Sequence, residues 1–218
     1  MEIKDKKINI LGDSITAGGG ASAPMYNYVN VFRNLSGADV ESYGVGGTRI
    51  AKQIHPELSA EAVYNRYFAS RISDMRKEAD IVVVFGGTND FGHGDAPMGS
   101  FENDDPDTFY GALRDLYGKL YETYPTARII VITPLHRVGE DEPLNEVGKP
   151  CRPLREYVTA IKAVAEEYSL PILDLWSSGN LTTKVERFEK MYFCDGLHPS
   201  DLGHKRIAES LYQFLLNL

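Results

Sequence analysis

The stretch "INILGDSITAGGG" (residues 8–20) sets an apolar run directly against one serine and four glycines. An apolar run that stops at Gly-Asp-Ser reads as a strand reaching the edge of a sheet, where the chain turns sharply. Two chemistries use such a turn. Glycines let the backbone approach a phosphate, or they leave one side chain, Ser14, open to a substrate. The strings that phosphate binding needs are absent. There is no G-x-x-x-x-G-K-[ST] and no G-x-G-x-x-G, the next glycine after Gly12 being Gly18. The G-x-S-x-G elbow of many serine hydrolases is absent too, because position 16 is a threonine. What remains is Ser14 at a strand end, in a tripeptide whose Asp and Ser would also serve as ordinary helix caps.

Outward from this stretch, short apolar runs alternate with longer helical patterns. Residues 7–11, 39–44, 80–87, 127–133 and 171–175 read as strands. The run "DIVVVFGG" (80–87) suits a parallel strand covered on both faces. Helices are expected over about 25–35, 56–78, 106–124, 153–168 and 200–217. Their inward positions would be Val63, Tyr67, Ile72 and Met75 in the second, Phe109, Leu113, Leu116 and Leu120 in the third, and Ile207, Leu211, Phe214 and Leu215 in the last. The alternation predicts one α/β domain over residues 1–218 with a mostly parallel sheet. Two long irregular stretches, about 88–105 and 134–150, follow strands at the carboxyl edge, where α/β proteins place their sites. The first carries an acidic cluster, Glu102, Asp104, Asp105 and Asp107, which reads as a solvated loop and helix start.

Composition narrows the function classes. The 218 residues are 43% hydrophobic and 25% charged, with a net charge of −8 and a pI near 5.2. An acidic chain disfavours nucleic acid and anionic membranes as partners. No apolar stretch reaches the ~18 residues of a membrane helix. The N-terminus has no apolar leader before the first strand, so the sequence as it stands reads as cytoplasmic. Cys151 and Cys194 are too few for a disulfide framework or a four-cysteine zinc site, and are expected as buried or half-buried thiols. Neither a metal nor an organic cofactor is expected.

The far end of the chain supplies what Ser14 would need. In "CDGLHPSDLGH" (194–204), Asp195 and His198 stand three apart, ahead of a helix that Pro199 would open. A serine hydroxyl needs a base, usually a histidine, and the histidine needs a carboxylate on its other nitrogen. Attack on an ester carbonyl also needs donors for the developing oxyanion. "YGVGGTR" (43–49) offers unobstructed glycine N–H groups, and "GGTND" (86–90) offers the Asn89 amide. Each piece alone has a bland reading as a turn or a cap. Their order, three strand-end turns and then a base, is what an esterase requires.

The four blocks together resemble the GDSL or SGNH hydrolase family. They stand here as "GDS" with Ser14, "GVGGT", "GGTND" with Asn89 and "DGLHPS" with Asp195 and His198. The resemblance spans nearly the whole chain. It implies a three-layer α/β/α sandwich of flavodoxin-like type with five strands. It implies Ser14 as nucleophile, His198 as base and then acid, and Asp195 orienting His198. The oxyanion hole would comprise the Ser14 N–H, the Gly47 N–H and the Asn89 side chain, with Gly46 the alternative to Gly47. One departure is Ser42, where many members carry Asn. The implied activity is hydrolysis of a short-chain carboxylic ester through an acyl-enzyme. "GGTRIA" and "GTNDFGHGDAP" look most like bacterial carbohydrate or small-ester deacetylases, which brings an acetylated carbohydrate among the expected substrates. Phe91, His93 and Trp176, with Tyr26 and Tyr28, are candidates to line the substrate pocket. Lysophospholipase or thioesterase activity, and acyl transfer by the same triad, are the alternatives. A binding module that has lost turnover is disfavoured, because Ser14 and His198 are both present. Gly12 and Gly18 to Gly20 are then expected to give access to Ser14.

Overall fold

The computed structural model describes residues 2–56, 65–102 and 104–218. Five strands, β1 (Lys7–Gly12), β2 (Asp39–Gly44), β3 (Ile81–Phe85), β4 (Arg128–Ile132) and β5 (Ile172–Leu173), form one sheet. Its order is β2-β1-β3-β4-β5 and every pairing is parallel. The helices are α1 (Ser14–Ala17), α2 (Tyr28–Ser36), α3 (Thr88–His93), α4 (Phe109–Thr123), α5 (Leu154–Glu167), α6 (Leu175–Ser178), α7 (Glu186–Tyr192) and α8 (Asp201–Leu216). This is the three-layer α/β/α sandwich, with the flavodoxin-like strand order.

The period of two along each strand divides the core. Leu11, Val82, Val84, Ile129 and Val131 face one side, against Leu113 and Leu116 of α4 and Ile161 and Val164 of α5. Ile8, Ile10, Ile81, Val83, Ile130 and Ile132 face the other, against Phe32 of α2 and Ile207 and Leu211 of α8. β3 is buried at every residue, as its unbroken apolar run requires. Each such side chain contributes about 1.5–3 kcal/mol by leaving water. A charge at Val83 would have no partner there and would break the layer.

Three expectations need correction. The described part of 56–78 is not an α-helix: it holds a short 3₁₀ segment, Phe68–Asp74. A 3₁₀ turn repeats every three residues. That repeat puts Ala69 and Ile72 together in the core, which Phe68 and Met75 just past the segment also enter, and sets Arg71 over the Phe68 ring. Tyr67 is half-buried, and Val63 lies outside the described residues. The stretch 88–105 is not irregular throughout, since α3 occupies its start. Gly87, at a φ of +109°, turns the chain out of β3 and into that helix. Pro199 does not open the last helix. Ser200 caps α8, its Oγ accepting the Gly203 N–H at 3.3 Å, and Pro199 pairs with Phe193 in a small antiparallel bridge. Among the described residues, no helix is long and apolar enough to cross a membrane.

Candidate active site

The sheet register decides which turns meet. Gly12 at the end of β1 lies level with Gly44 of β2 and with Phe85 of β3. The turns after these three strands therefore sit side by side at the point where the strand order reverses. In the first turn, Asp13 caps α1 by accepting the Ile15 N–H on Oδ1 at 3.0 Å. Because Asp13 does the capping, the Ser14 hydroxyl is left for another partner. That partner is His198, whose Nε2 lies 2.9 Å from Ser14 Oγ.

His198 arrives from the other end of the chain. The Phe193–Pro199 bridge, with the Cys194 N–H donating to the His198 carbonyl at 2.9 Å, folds residues 193–199 into a tight loop. Inside it Asp195 Oδ1 accepts the N–H groups of Leu197 at 3.0 Å and His198 at 2.7 Å. Its Oδ2 lies 2.7 Å from His198 Nδ1. A carboxylate can only accept from a ring N–H, so Nδ1 carries the proton and Nε2 is left to accept from Ser14. Partial burial pushes the Asp195 carboxyl up. The His198 ring and the two loop N–H groups outweigh it and hold the carboxyl below its ordinary value, so it stays ionised.

Gly19 shows why glycine precedes this contact. A side chain there would come within 2.7 Å of His198 Cδ2. Gly19 thus admits the imidazole, Gly20 the backbone of Pro199, and Gly18 lies against Asn27. Gly19 is itself held on both sides. Its N–H donates to the Ser14 carbonyl at 2.7 Å, and its carbonyl lies 3.0 Å from Nε2 of the fully buried His204. His204 Nδ1 accepts the Tyr28 N–H at 3.2 Å, and burial lowers its affinity for a second proton.

The second turn spans Val45 to Thr48. The Thr48 N–H and hydroxyl both donate to the Val45 carbonyl, at 3.4 and 2.7 Å. Gly47 adopts a φ of +71°, which a side chain would strain. Gly46 faces the serine: a methyl group built there would lie 3.7 Å from Ser14 Cβ. In the third turn the buried Asn89 donates from Nδ2 to the Thr48 carbonyl at 3.0 Å, which fixes the plane of its amide. Asp90 ties the same two segments from the other side, accepting the N–H groups of Ile50 at 3.0 Å and Ala51 at 2.8 Å.

The residues expected to line a pocket fare differently. Phe91 is buried in the core, edge-on to Tyr157 with ring centroids 6.2 Å apart, and carries the Arg137 guanidinium over its ring. His93 is half-buried with Nδ1 against Arg49. Burial and the positive charges of Arg49 and Arg137 push its pKa down to about 4, so it is neutral. Trp176 stacks on His136 at 3.8 Å and lines a groove of about 430 Å³ along α5, which none of Ser14, Asn89, Asp195 or His198 lines. Tyr28 is fully buried, its hydroxyl 2.9 Å from Thr16 Oγ1, and Tyr26 is exposed. Cys151 is half-buried as expected. Cys194 is exposed, because it sits at the entrance of the tight loop rather than in the core. Among the described residues, no three His, Cys, Asp or Glu side chains converge as metal ligands.

Sequence reasoning passed over Arg71, Asp90 and His204. Arg71 is buried and donates to the Gly12 carbonyl at 3.0 Å, to Thr48 Oγ1 at 2.8 Å and to the Tyr43 carbonyl. Arg71 stands among Ser70, Ser73 and Asp74, and no local signal in the sequence marks it. Asp90 stood within "GGTND", and His204 six residues after His198, so both lay inside quoted motifs without an assigned task.

Comparison with known proteins agrees with this geometry. The model of the GDSL-like lipase/acylhydrolase family matches residues 10–206. A GDSL esterase/lipase of Arabidopsis thaliana is 28% identical over 219 residues, covering 94% of this chain and 84% of that protein. A GDSL lipase of Mycobacterium tuberculosis is 24% identical over 225 residues, covering 97% and 82%. Among solved structures, a Lactobacillus plantarum protein superposes with a TM-score of 0.83 at 28% identity, covering 99% of this chain and 98% of that one. With the fold, the strand-end turns and the family match in agreement, the chain belongs to the GDSL-like lipase/acylhydrolase family and is a GDSL-type ester hydrolase.

Proposed function

We propose that the protein hydrolyses short-chain carboxylic esters through an acyl-enzyme on Ser14, with O-acetylated carbohydrates as its substrate class. The observation that carries the mechanism is the relay from Ser14 Oγ to His198 Nε2 at 2.9 Å and from Nδ1 to Asp195 at 2.7 Å. In this reading the Ser14 oxygen bonds to the ester carbonyl carbon while its proton passes to His198 Nε2. Asp195 stabilises the imidazolium that results. Negative charge gathers on the former carbonyl oxygen. The donors for it are the Ser14 N–H, an N–H of the Gly46–Gly47 pair and the Asn89 amide hydrogen not given to Thr48. Collapse breaks the ester C–O bond, and His198 returns its proton to the leaving alcohol. Water, deprotonated by His198, then attacks the acyl carbon, releases the acid and restores the Ser14 hydroxyl. Gly47 is the donor implied by the family resemblance, and the position of Gly46 beside Ser14 supports Gly46 equally.

The short-acyl reading is supported by what surrounds the serine. Each methylene buried in an apolar slot is worth about 0.8 kcal/mol, so long acyl chains need a long apolar groove. Phe91 is withdrawn into the core, and Met98 and Phe101 line a separate hollow with Tyr110. Val138, Leu144 and Val147 are exposed but stand singly, Val138 against Gly196 of the histidine loop, and most other residues of the two loops are polar, acidic, Gly or Pro, as a sugar ester would tolerate. The test is a series of p-nitrophenyl esters, run beside acetate release from acetylated oligosaccharides. We expect kcat/KM to fall beyond about four acyl carbons, a cutoff inferred roughly from that per-methylene value, and acetate to be released from the sugars. Octanoyl or longer esters turning over faster than acetyl would overturn the short-acyl reading.

A further inference from the structure

Arg71 has no place in the relay, yet it is buried and its bonds go to three separate segments. One acceptor is the carbonyl of Gly12, two residues before Ser14. The second is the carbonyl of Tyr43, near the end of β2. The third is the Thr48 hydroxyl, which itself donates to the Val45 carbonyl and so closes the turn that presents Gly46 and Gly47. The Thr48 carbonyl, on the same residue, holds the Asn89 amide. All three acceptors are neutral, so these contacts are not ion pairs. A guanidinium is suited to such a task because its donors are fixed in one plane, whereas an ammonium is a point charge on a flexible stem. The Phe68 ring lies 5.3 Å from the guanidinium carbon and fills the space beneath it.

We propose that Arg71 is a positioning residue for the oxyanion donors: its fork sets the end of β1, the end of β2 and the Thr48 turn in one register, and through Thr48 it aims Asn89. This rests on the esterase reading above and adds a residue to it. Arg71 does not touch the substrate. Its effect passes through Thr48, and that makes it separable from a general loss of stability.

The experiment is a double-mutant cycle. Arg71→Lys keeps the cation and loses the planar fork. On a p-nitrophenyl acetate assay, at a temperature where urea titration shows the variants folded, Arg71→Lys should lower kcat about tenfold or more and leave KM within about threefold, as loss of a transition-state contact does. In an Asn89→Ala background the same substitution should cost at least about threefold less, because residues acting through one another are non-additive. Thr48→Val removes the hydroxyl bridge without disturbing the bonds to Gly12 and Tyr43. It should lower kcat in the same direction, and it decides the matter if Arg71→Lys does not fold. An Arg71→Lys variant with full kcat, an equal loss in both backgrounds, or a Thr48→Val variant with full kcat would overturn the proposal. A folded wild type that turns over no ester would overturn the esterase reading and this one with it. An active wild type with strictly multiplicative losses would overturn this one alone.

Discussion

Replacing Asp90 by asparagine should change how stability depends on pH, by an amount that follows from burial. The Asp90 side chain is 4% exposed. Burial pushes its pKa from 3.8 to about 7, against the opposing pull of the Ala51 and Ile50 N–H groups and the Arg49 charge. The unfolded chain releases this proton near 3.8, and the folded chain keeps it to about 7. Between those values the folded state binds more protons, so this group makes stability fall as pH rises. At about 1.4 kcal/mol per pKa unit the whole effect is ~4 kcal/mol, of which ~3 kcal/mol falls between pH 5 and pH 8. The amide that replaces the carboxyl in Asp90→Asn cannot ionise. It offers one acceptor to two N–H groups, a cost of about 1–3 kcal/mol that does not depend on pH. His93 has the opposite sign: with its folded pKa held near 4 against an ordinary 6.5, stability gains as pH rises between those values. It is present in both proteins and cancels in the difference. Urea unfolding of wild type and Asp90→Asn at pH 5, 6, 7 and 8 gives that difference directly. The advantage of wild type over the variant should shrink by ~3 kcal/mol from pH 5 to pH 8. Parallel profiles, within about 1 kcal/mol, would refute the claim that burial outweighs the Ile50 and Ala51 N–H groups at Asp90.

Asn89→Ala should lower kcat by about 10²–10³ with KM nearly unchanged, since the amide meets full negative charge only in the transition state. It should also cost about 1–3 kcal/mol of stability in urea titration, by leaving the Thr48 carbonyl without its donor. A variant impaired mainly in KM would move Asn89 from the oxyanion to ground-state binding. Asp195→Asn keeps the loop shape but places an amide against His198 Nδ1. Steady-state kinetics should show kcat down by roughly 10³–10⁴, and a loss under tenfold would deny Asp195 its orienting role. Rate against concentration for a butyryl ester surfactant should show no jump at its micelle point, and a jump would point to an interfacial lipase.

Most of the site was legible because each strand-end turn is marked by residues that a turn itself selects. Gly-Asp-Ser, Gly46–Gly47, Gly87 and the Asp195–His198 pair announce themselves locally, and the apolar runs of β1, β3 and β4 place them on one sheet edge. What could not be read depends on partners distant in sequence. Arg71 looked like one polar residue in a helical pattern, and only the meeting of β1, β2 and the Thr48 turn gives it acceptors. The stretch from residue 88 read as irregular, yet Thr88–His93 is helical, and Asp90 on it accepts the N–H groups of residues 50 and 51, partners some forty residues away. Pro199 suggested a helix start, whereas the bridge to Phe193 takes it and leaves capping to Ser200. Gly19 signalled space without saying for what, and the occupant is His198.

The central claim is that Ser14 is the nucleophile, made so by His198. A fluorophosphonate probe tests it most directly, because such probes modify only an activated serine. Wild type should be labelled on Ser14, as peptide mass spectrometry would show. Ser14→Ala should keep its circular dichroism, take no label and lose ester turnover by at least ~10³-fold. Label on a different residue, or a Ser14→Ala variant that still turns over ester at the wild-type rate, would contradict the account.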